Sequence, residues 1–413
     1  MGVTARLCRF CGTPVEQPFV DLGSTPLANA YLTKDQLAHP EPSYPLRAFV
    51  CPHCWLVQAD SFVPPEDIFS HYAYFSSYSD SWVEHARQFT LAARERFGLN
   101  ESSQVIEVAS NDGYLLKHFV AAGIPVLGIE PAANVAEAAR QIGVPTEARF
   151  FGQETAADLV ARGLSADLIV ANNVLAHVPD INDFVGGFAR LLKPDGILSV
   201  EFPHLLRLIE GVQFDTVYHE HFYYLSLLAV EAVFAAHGLK VFDVEELPTH
   251  GGSLRVLACR AASVKYPVAP GLAKVRHDEQ AAAFDQLQTY AAFQKRVAPI
   301  RTALIAFLKE AASKEQKVIA YGAAAKGNTL LNFCGVDTEL IEYVVDRNPA
   351  KQGHFLPGSH LPILAPEAIE ETRPDYVLIL PWNIRHEVIA SMDHIRQWGG
   401  RFVVAIPELT IIP

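Results

Sequence analysis

From Gln104 onward, short apolar runs alternate with longer stretches in which apolar residues recur every three or four positions. Runs at residues 105–108, 126–129, 168–171 and 196–201 predict strands, and the intervening stretches predict helices, the pattern of βαβ units and a parallel sheet. A second block repeats the plan from Lys317, with strands expected at residues 318–322, 342–346, 376–380 and 402–405. Between the blocks, Pro267 and Pro270 mark a boundary. Beyond it Phe284, Leu287, Ala291, Val297, Ile300, Leu304 and Phe307 suit one buried helical side, with Pro299 expected to start a new helix or kink the first. Upstream, Trp82, Val83, Ala86, Phe89, Leu91, Ala92 and Phe97 predict a helix, while residues 1 to about 63 carry prolines, aromatics and only short apolar stretches. The chain therefore reads as an α/β protein in three parts: 1–70, 71–265 and 266–413.

The first part is too irregular to hold itself together by apolar burial, and its cysteines supply the remedy. Cys8-x-x-Cys11 and Cys51-x-x-Cys54 form two tight knuckles, with only Cys259 and Cys334 outside them. Four soft thiolates close a tetrahedral structural Zn²⁺ site and leave no position for water. Free thiols or a disulfide pair are the alternative. No secretory signal precedes the cysteines and no apolar run approaches a membrane span, so the expectation is a cytoplasmic protein without a membrane partner. The net charge of −13 over 413 residues, with no dense basic stretch, argues against nucleic acid as a partner and favours a small-molecule substrate. A monomer is expected, with a weak dimer as the alternative.

Glu107-Val-Ala-Ser-Asn-Asp-Gly113 ends a predicted strand and opens a helix, where doubly wound sheets bind ligands. Ala109, Ser110 and Gly113 allow close approach of backbone to ligand, with Asn111 and Asp112 between them. Glu130 ends the next strand, where an acid can accept from both ribose hydroxyls. The full Gly-x-Gly-x-x-Gly of a dinucleotide site is missing. Asn172 and Asn173 follow the strand at 168–171, and His177 lies four residues on.

Phe214-Asp-Thr-Val-Tyr-His-Glu-His-Phe-Tyr-Tyr224 concentrates titratable groups just after the strand at 196–201. Histidine suits proton abstraction at neutral pH, a nearby carboxylate can fix its tautomer, and a tyrosine hydroxyl can hydrogen-bond an enolate. Two rival readings are a second metal on His219, Glu220 and His221, or polar residues satisfied at a helix start. Tyr321-Gly-Ala-Ala-Ala-Lys-Gly327 follows a strand and opens a helix, a place for phosphate, with Asp346 ending the next strand. His250-Gly-Gly-Ser-Leu-Arg255 reads as a cleft lining, with Arg255 for an anion, or as a glycine-rich hairpin turn.

Together the four-cysteine module, Tyr72-Ala-Tyr-Phe-Ser-Ser-Tyr-Ser79, Glu-Val-Ala-Ser-Asn-Asp-Gly, Tyr218-His-Glu-His221, His250–Arg255 and Tyr321–Asn328 resemble the sugar C-methyltransferases of antibiotic biosynthesis, across essentially the whole chain. The resemblance implies a central class I S-adenosylmethionine (SAM) methyltransferase domain with a Rossmann-like fold, and a second Rossmann-like domain that helps hold a TDP-sugar. It implies methylation of C-3′ of a TDP-4-keto-deoxysugar, through a base-generated enolate and with inversion. The roles implied are His221 as base, Glu220 orienting it, Tyr218 at the enolate oxygen, and Tyr72 or Tyr74 reaching the active site from a closing segment. Glu107, Ala109, Ser110, Asn111, Asp112, Gly113, Glu130, Asn172, Asn173 and His177 would hold SAM. Tyr78, His219, Tyr224, Arg255, Tyr321, Lys326 and Asn328 would line the sugar nucleotide site. An RNA or protein methyltransferase, gripping its substrate through the zinc module, is the alternative, and a working nicotinamide domain at the C-terminus is a third reading.

Overall fold

The computed structural model describes residues 6–61 and 75–413. Tyr72 and Tyr74 therefore lie outside the described residues. The N-terminal strands β1 (Gln17–Thr25), β2 (Tyr44–Val50) and β3 (Val57–Ala59) form an antiparallel sheet. Its fourth strand, β9 (Tyr223–Tyr224), comes from the far end of the histidine-rich segment and pairs antiparallel with β3.

The middle sheet has the order β10-β11-β8-β7-β4-β5-β6, built from β4 (Val105–Val108), β5 (Val126–Ile129), β6 (Thr146–Glu147), β7 (Ala166–Asn172), β8 (Leu192–Pro203), β10 (Leu239–Leu247) and β11 (Ser253–Arg260). Strands β4 to β8 are parallel, and β10 and β11 add an antiparallel edge. The order reverses at β4, between β7 and β5, so a crevice opens at the carboxyl ends of those strands. Helix Asp80–Phe97 covers this sheet through Ala86, Phe89 and Ala93; Ser79 caps its start by accepting from the Trp82 N–H at 3.4 Å, and Gly98 ends it in the left-handed region.

The third sheet, β14-β13-β12-β15-β16-β17, comprises β12 (Val318–Tyr321), β13 (Val344–Val345), β14 (Ile363–Leu364), β15 (Tyr376–Ile379), β16 (Arg401–Val404) and β17 (Thr410–Ile412). All pairings but the last are parallel. Helix Phe293–Ser313 contains Pro299 in its interior, so a new helix does not start there. Pro299 is on the exposed side, where the carbonyl it leaves unpaired faces water.

The three parts share cores. Phe19 of β1 stacks on Phe293 with ring centroids 4.6 Å apart, and the N-terminal sheet and the third sheet bury one continuous apolar cluster. Helix Pro270–Ala281 turns back onto the middle body: Glu279 accepts from the N–H groups of Leu227 and Leu228 at 2.6 and 2.8 Å and pairs with His204. No described helix is long and apolar enough to cross a membrane.

Candidate active site

The two knuckles converge as their spacing predicts. The Cys8–Cys54, Cys11–Cys51 and Cys11–Cys54 sulfurs lie 3.5, 3.5 and 3.6 Å apart, and all four are within 4.8 Å of one another. A disulfide needs about 2.05 Å, whereas Zn–S bonds of about 2.3 Å in a tetrahedron put sulfurs about 3.8 Å apart. The donor set fits a structural zinc, and these are the only residues among those described that gather as a metal site. The metal centre sits at the end of the sheet that takes in β9, two residues beyond His221.

In the turn after β4, Ala109 and Asn111 both adopt positive φ (55° and 49°), an unfavourable conformation for side-chain-bearing residues that marks a functional turn. Glu130 accepts from the N–H of Asn111 at 3.0 Å and of Ala132 at 2.9 Å. Gly128 leaves the room that the Ser110 side chain occupies. The N–H groups of Ser76 and Ser77 dock on Asn111 Oδ1 and Asp112 Oδ2 at 2.8 and 3.1 Å, so the stretch after Tyr74 is tied to this turn. Burial pushes the Glu107 carboxyl well up; Tyr114 opposes the shift, and the charges of Glu130 and Asp112 add to it. Burial raises Glu130 as well, against its backbone hydrogen bonds and with Asp112 adding. Three crowded acids in a crevice are relieved by a cation, and Ser110 Oγ, Asp112 Oδ1 and Asn173 Oδ1 are buried without a partner among the described residues. SAM, with its sulfonium and ammonium groups, fits that demand.

Around His221 the structure departs from the expected roles. Its Nδ1 lies 2.8 Å from the Thr216 carbonyl, which can only accept, so Nδ1 carries the hydrogen and Nε2 the lone pair. Burial depresses its pKa well below the usual value, with His177 adding, so the ring is neutral. Tyr218 lies against it at 4.0 Å between centroids and His177 meets it edge-on at 4.6 Å. His177, expected at SAM, packs on this ring; burial holds it neutral, near pKa 4. The Glu220 carboxylate accepts not from His221 but from Asn29 of the N-terminal module, at 2.6 Å. Burial pushes it up to about 7. Chain direction explains the difference: residues 219–220 form a turn, so successive side chains diverge. His219 points the other way, its Nε2 3.2 Å from the Pro45 carbonyl, which removes the shared-metal reading for this segment. Tyr224 is buried behind the loop, its hydroxyl 3.4 Å from the His221 carbonyl.

Other expected substrate contacts separate similarly. Arg255 is committed: its guanidinium pairs with Glu201 at 3.0 Å and Glu245 at 2.9 Å and lies over Phe89, so it is not an open anion site. Asn328 is buried and donates to the Ala28 carbonyl at 3.0 Å, tying the module to helix Ala325–Cys334. Tyr78 is 69% exposed, with its ring against Phe75. Lys326 remains at the cleft, donating to Asn383 Oδ1 at 2.7 Å and lying 4.9 Å over the Trp382 ring. Tyr321, Gly322, Asp346 and Arg347 line a cavity of about 220 Å³ at the carboxyl end of β12, adjoining one of about 420 Å³ that shares Tyr321, Arg347 and Ser391. His250, read from sequence only as the first residue of a cleft-lining segment, sits at φ 53° with its ring edge-on to Trp82 at 5.3 Å. Its place between two glycines and a proline-led turn was the available signal. Sequence reasoning missed Trp382, for which no local signal exists.

A parallel sheet with an acid-lined turn at its switch point is the arrangement of a SAM-dependent methyltransferase. Comparison with known families agrees: the models described as "Putative zinc binding domain", "Methyltransferase domain" and "C-methyltransferase C-terminal domain" match residues 8–69, 82–244 and 248–407. The chain is 37% identical to the C-methyltransferase NovU of Streptomyces niveus over 405 residues, 98% of this chain and 96% of that one, and it belongs to this C-methyltransferase family. The ubiquinone biosynthesis O-methyltransferase of Rhodopseudomonas palustris (strain BisA53) is 28% identical over 116 residues, 26% of this chain and 46% of that one. Among solved structures, magnesium protoporphyrin IX methyltransferase from Synechocystis PCC 6803 with bound SAM covers 44% of this chain and 82% of its own at 16% identity, with a TM-score of 0.34.

Proposed function

We propose that the protein methylates C-3′ of a TDP-4-keto-deoxysugar, with His221 as the base and inversion at the carbon. The observation that carries this reading is His221 itself: a neutral imidazole with Nδ1–H spent on the Thr216 carbonyl and Nε2 left as acceptor. A ketone acidifies the neighbouring C–H. The proton passes to Nε2, and the C–H electron pair delocalises onto the C-4′ oxygen as an enolate. Tyr218, whose ring packs on His221, is the residue we assign to hydrogen-bond that oxygen. SAM, when bound, supplies the methyl group as an electrophile on a sulfonium, and the Glu107, Ser110, Asp112, Glu130 and Asn173 side chains hold it. Lys326 and the cavity at Tyr321 and Arg347 take the anionic nucleotide end of the sugar substrate. The zinc cluster supports the fold and takes no part in the chemistry.

Incubation with a TDP-4-keto-deoxysugar in deuterated water tests the reading. Exchange at C-3′ without SAM, and methyl incorporation at that carbon with it, are expected. His221→Asn abolishes both. Near-normal turnover of His221→Asn, or methyl transfer to RNA or peptide alone, would sink the proposal.

A further inference from the structure

The carbonyl that orients His221 belongs to the 3-10 turn Phe214–Thr216, and this turn is held by the C-terminal domain. Trp382 Nε1–H donates to Asp215 Oδ2 at 2.7 Å, between side chains that are both buried. On either side, Phe214 packs edge-on against Phe333 at 5.1 Å, and the Thr329 hydroxyl donates to the Val217 carbonyl at 3.2 Å. Gly251 provides the clearance: a Cβ there would meet the tip of the Trp382 ring. Every residue from Phe214 to Val217 except Thr216 is thus fastened to the C-terminal domain, and Thr216 holds the base.

We propose that Asp215 and Trp382 are positioning residues for His221, acting through one hydrogen bond that sets the turn carrying the Thr216 carbonyl. The inference rests on His221 being the base. It gives a physical reason for a carboxylate at a site where burial raises its pKa to about 6 even against the pull of Lys326 and the indole N–H. An unpaired buried acid would be unfavourable, whereas one bonded across the domain joint fixes the geometry of a group three bonds of contact away. Displacing a catalytic group by about 1 Å lowers turnover by about a hundredfold.

The test is Trp382→Phe, which removes the N–H but keeps an aromatic face for Lys326, measured by C-3′ deuterium exchange, kcat, and KM for the TDP-sugar. Expected are an exchange rate and kcat lowered about 10- to 100-fold, a KM changed less than about threefold, unchanged SAM binding, and a Tm lowered by only about 2–4 °C. Asp215→Asn retains an oxygen for the indole and should lose less. The double variant should match Trp382→Phe within about twofold, since both changes act through one bond. Wild-type exchange in Trp382→Phe, a raised KM at constant kcat, independent effects in the double variant, or lost SAM binding would each overturn the assignment. If His221→Asn is exchange-dead while Trp382→Phe is normal, this inference fails and the base stands. If His221→Asn exchanges normally, the base reading itself fails.

Discussion

Two buried charged residues behave differently because their partners differ. Glu220 is 4% exposed and, among the described residues, is bonded by the neutral Asn29 amide, so burial raises its pKa to about 7. The unfolded chain ionises near 4.5, so the proton is held more tightly in the fold; the stabilisation is complete below that value and is lost as pH rises through 7. Glu220→Gln, neutral at every pH, should therefore gain stability relative to wild type between pH 5 and pH 8, by about 3 kcal/mol at the upper end. Thermal melts across that range check it, and a difference independent of pH would refute it. Glu201 is also buried, yet His85 and Arg255 hold its pKa below the usual value. Arg255 is thus a fold residue. Arg255→Leu should lower stability by about 3–5 kcal/mol, by stranding Glu201, and leave KM for the TDP-sugar within about twofold of wild type. Parallel melts and kinetics separate this from the anion-binding role expected of that arginine.

Among the elements, β9 connects metal to mechanism. It is two residues long, starts two residues after His221, and survives as a strand because β3 of the zinc-stapled sheet supplies its partner. Arg9, inside the first knuckle, reinforces the joint by donating to the carbonyls of Ala59 and Phe222, both at 2.8 Å. Removing the metal should therefore loosen the base loop as well as the module. Cys54→Ser, or a strong thiol-competing chelator, should lower Tm and abolish C-3′ exchange together, while readdition of Zn²⁺ after chelation restores both. Exchange that persists in protein shown by metal analysis to be zinc-free would contradict this coupling. The strands that flank the cleft were legible from apolar runs, since β4, β5, β7, β12 and β15 are buried and carry continuous hydrophobic stretches. β9 was not: two tyrosines inside a histidine-rich segment have no period to read.

For the whole molecule, the proposed SAM and sugar-nucleotide sites fall on different domains, and the proposed active site exists only where they meet. Each ligand should raise Tm alone, by an amount equivalent to about 2.7 kcal/mol at a hundred times its Kd. Glu130→Ala should erase most of the SAM shift and spare that of TDP, and Lys326→Ala should do the reverse. Scanning calorimetry with each ligand separately provides the measurement, and a common loss in either variant would mean that one domain serves both.

The sequence by itself determined the local chemistry: which segments become strands, the Cys8, Cys11, Cys51 and Cys54 cluster, the acid-bearing turn after β4, and His221 among its neighbours. These follow from period, turn geometry and ligand spacing, all encoded within short stretches or in paired knuckles. Tertiary structure decided who faces whom. Glu220 turned to Asn29, Arg255 to two carboxylates and His177 to His221, while Asp215 found Trp382, 167 positions away. The physical reason is that a polar side chain at a domain joint takes whichever buried partner satisfies it, and that partner is brought there by packing of apolar faces that carry no mark of the polar pair they will enclose.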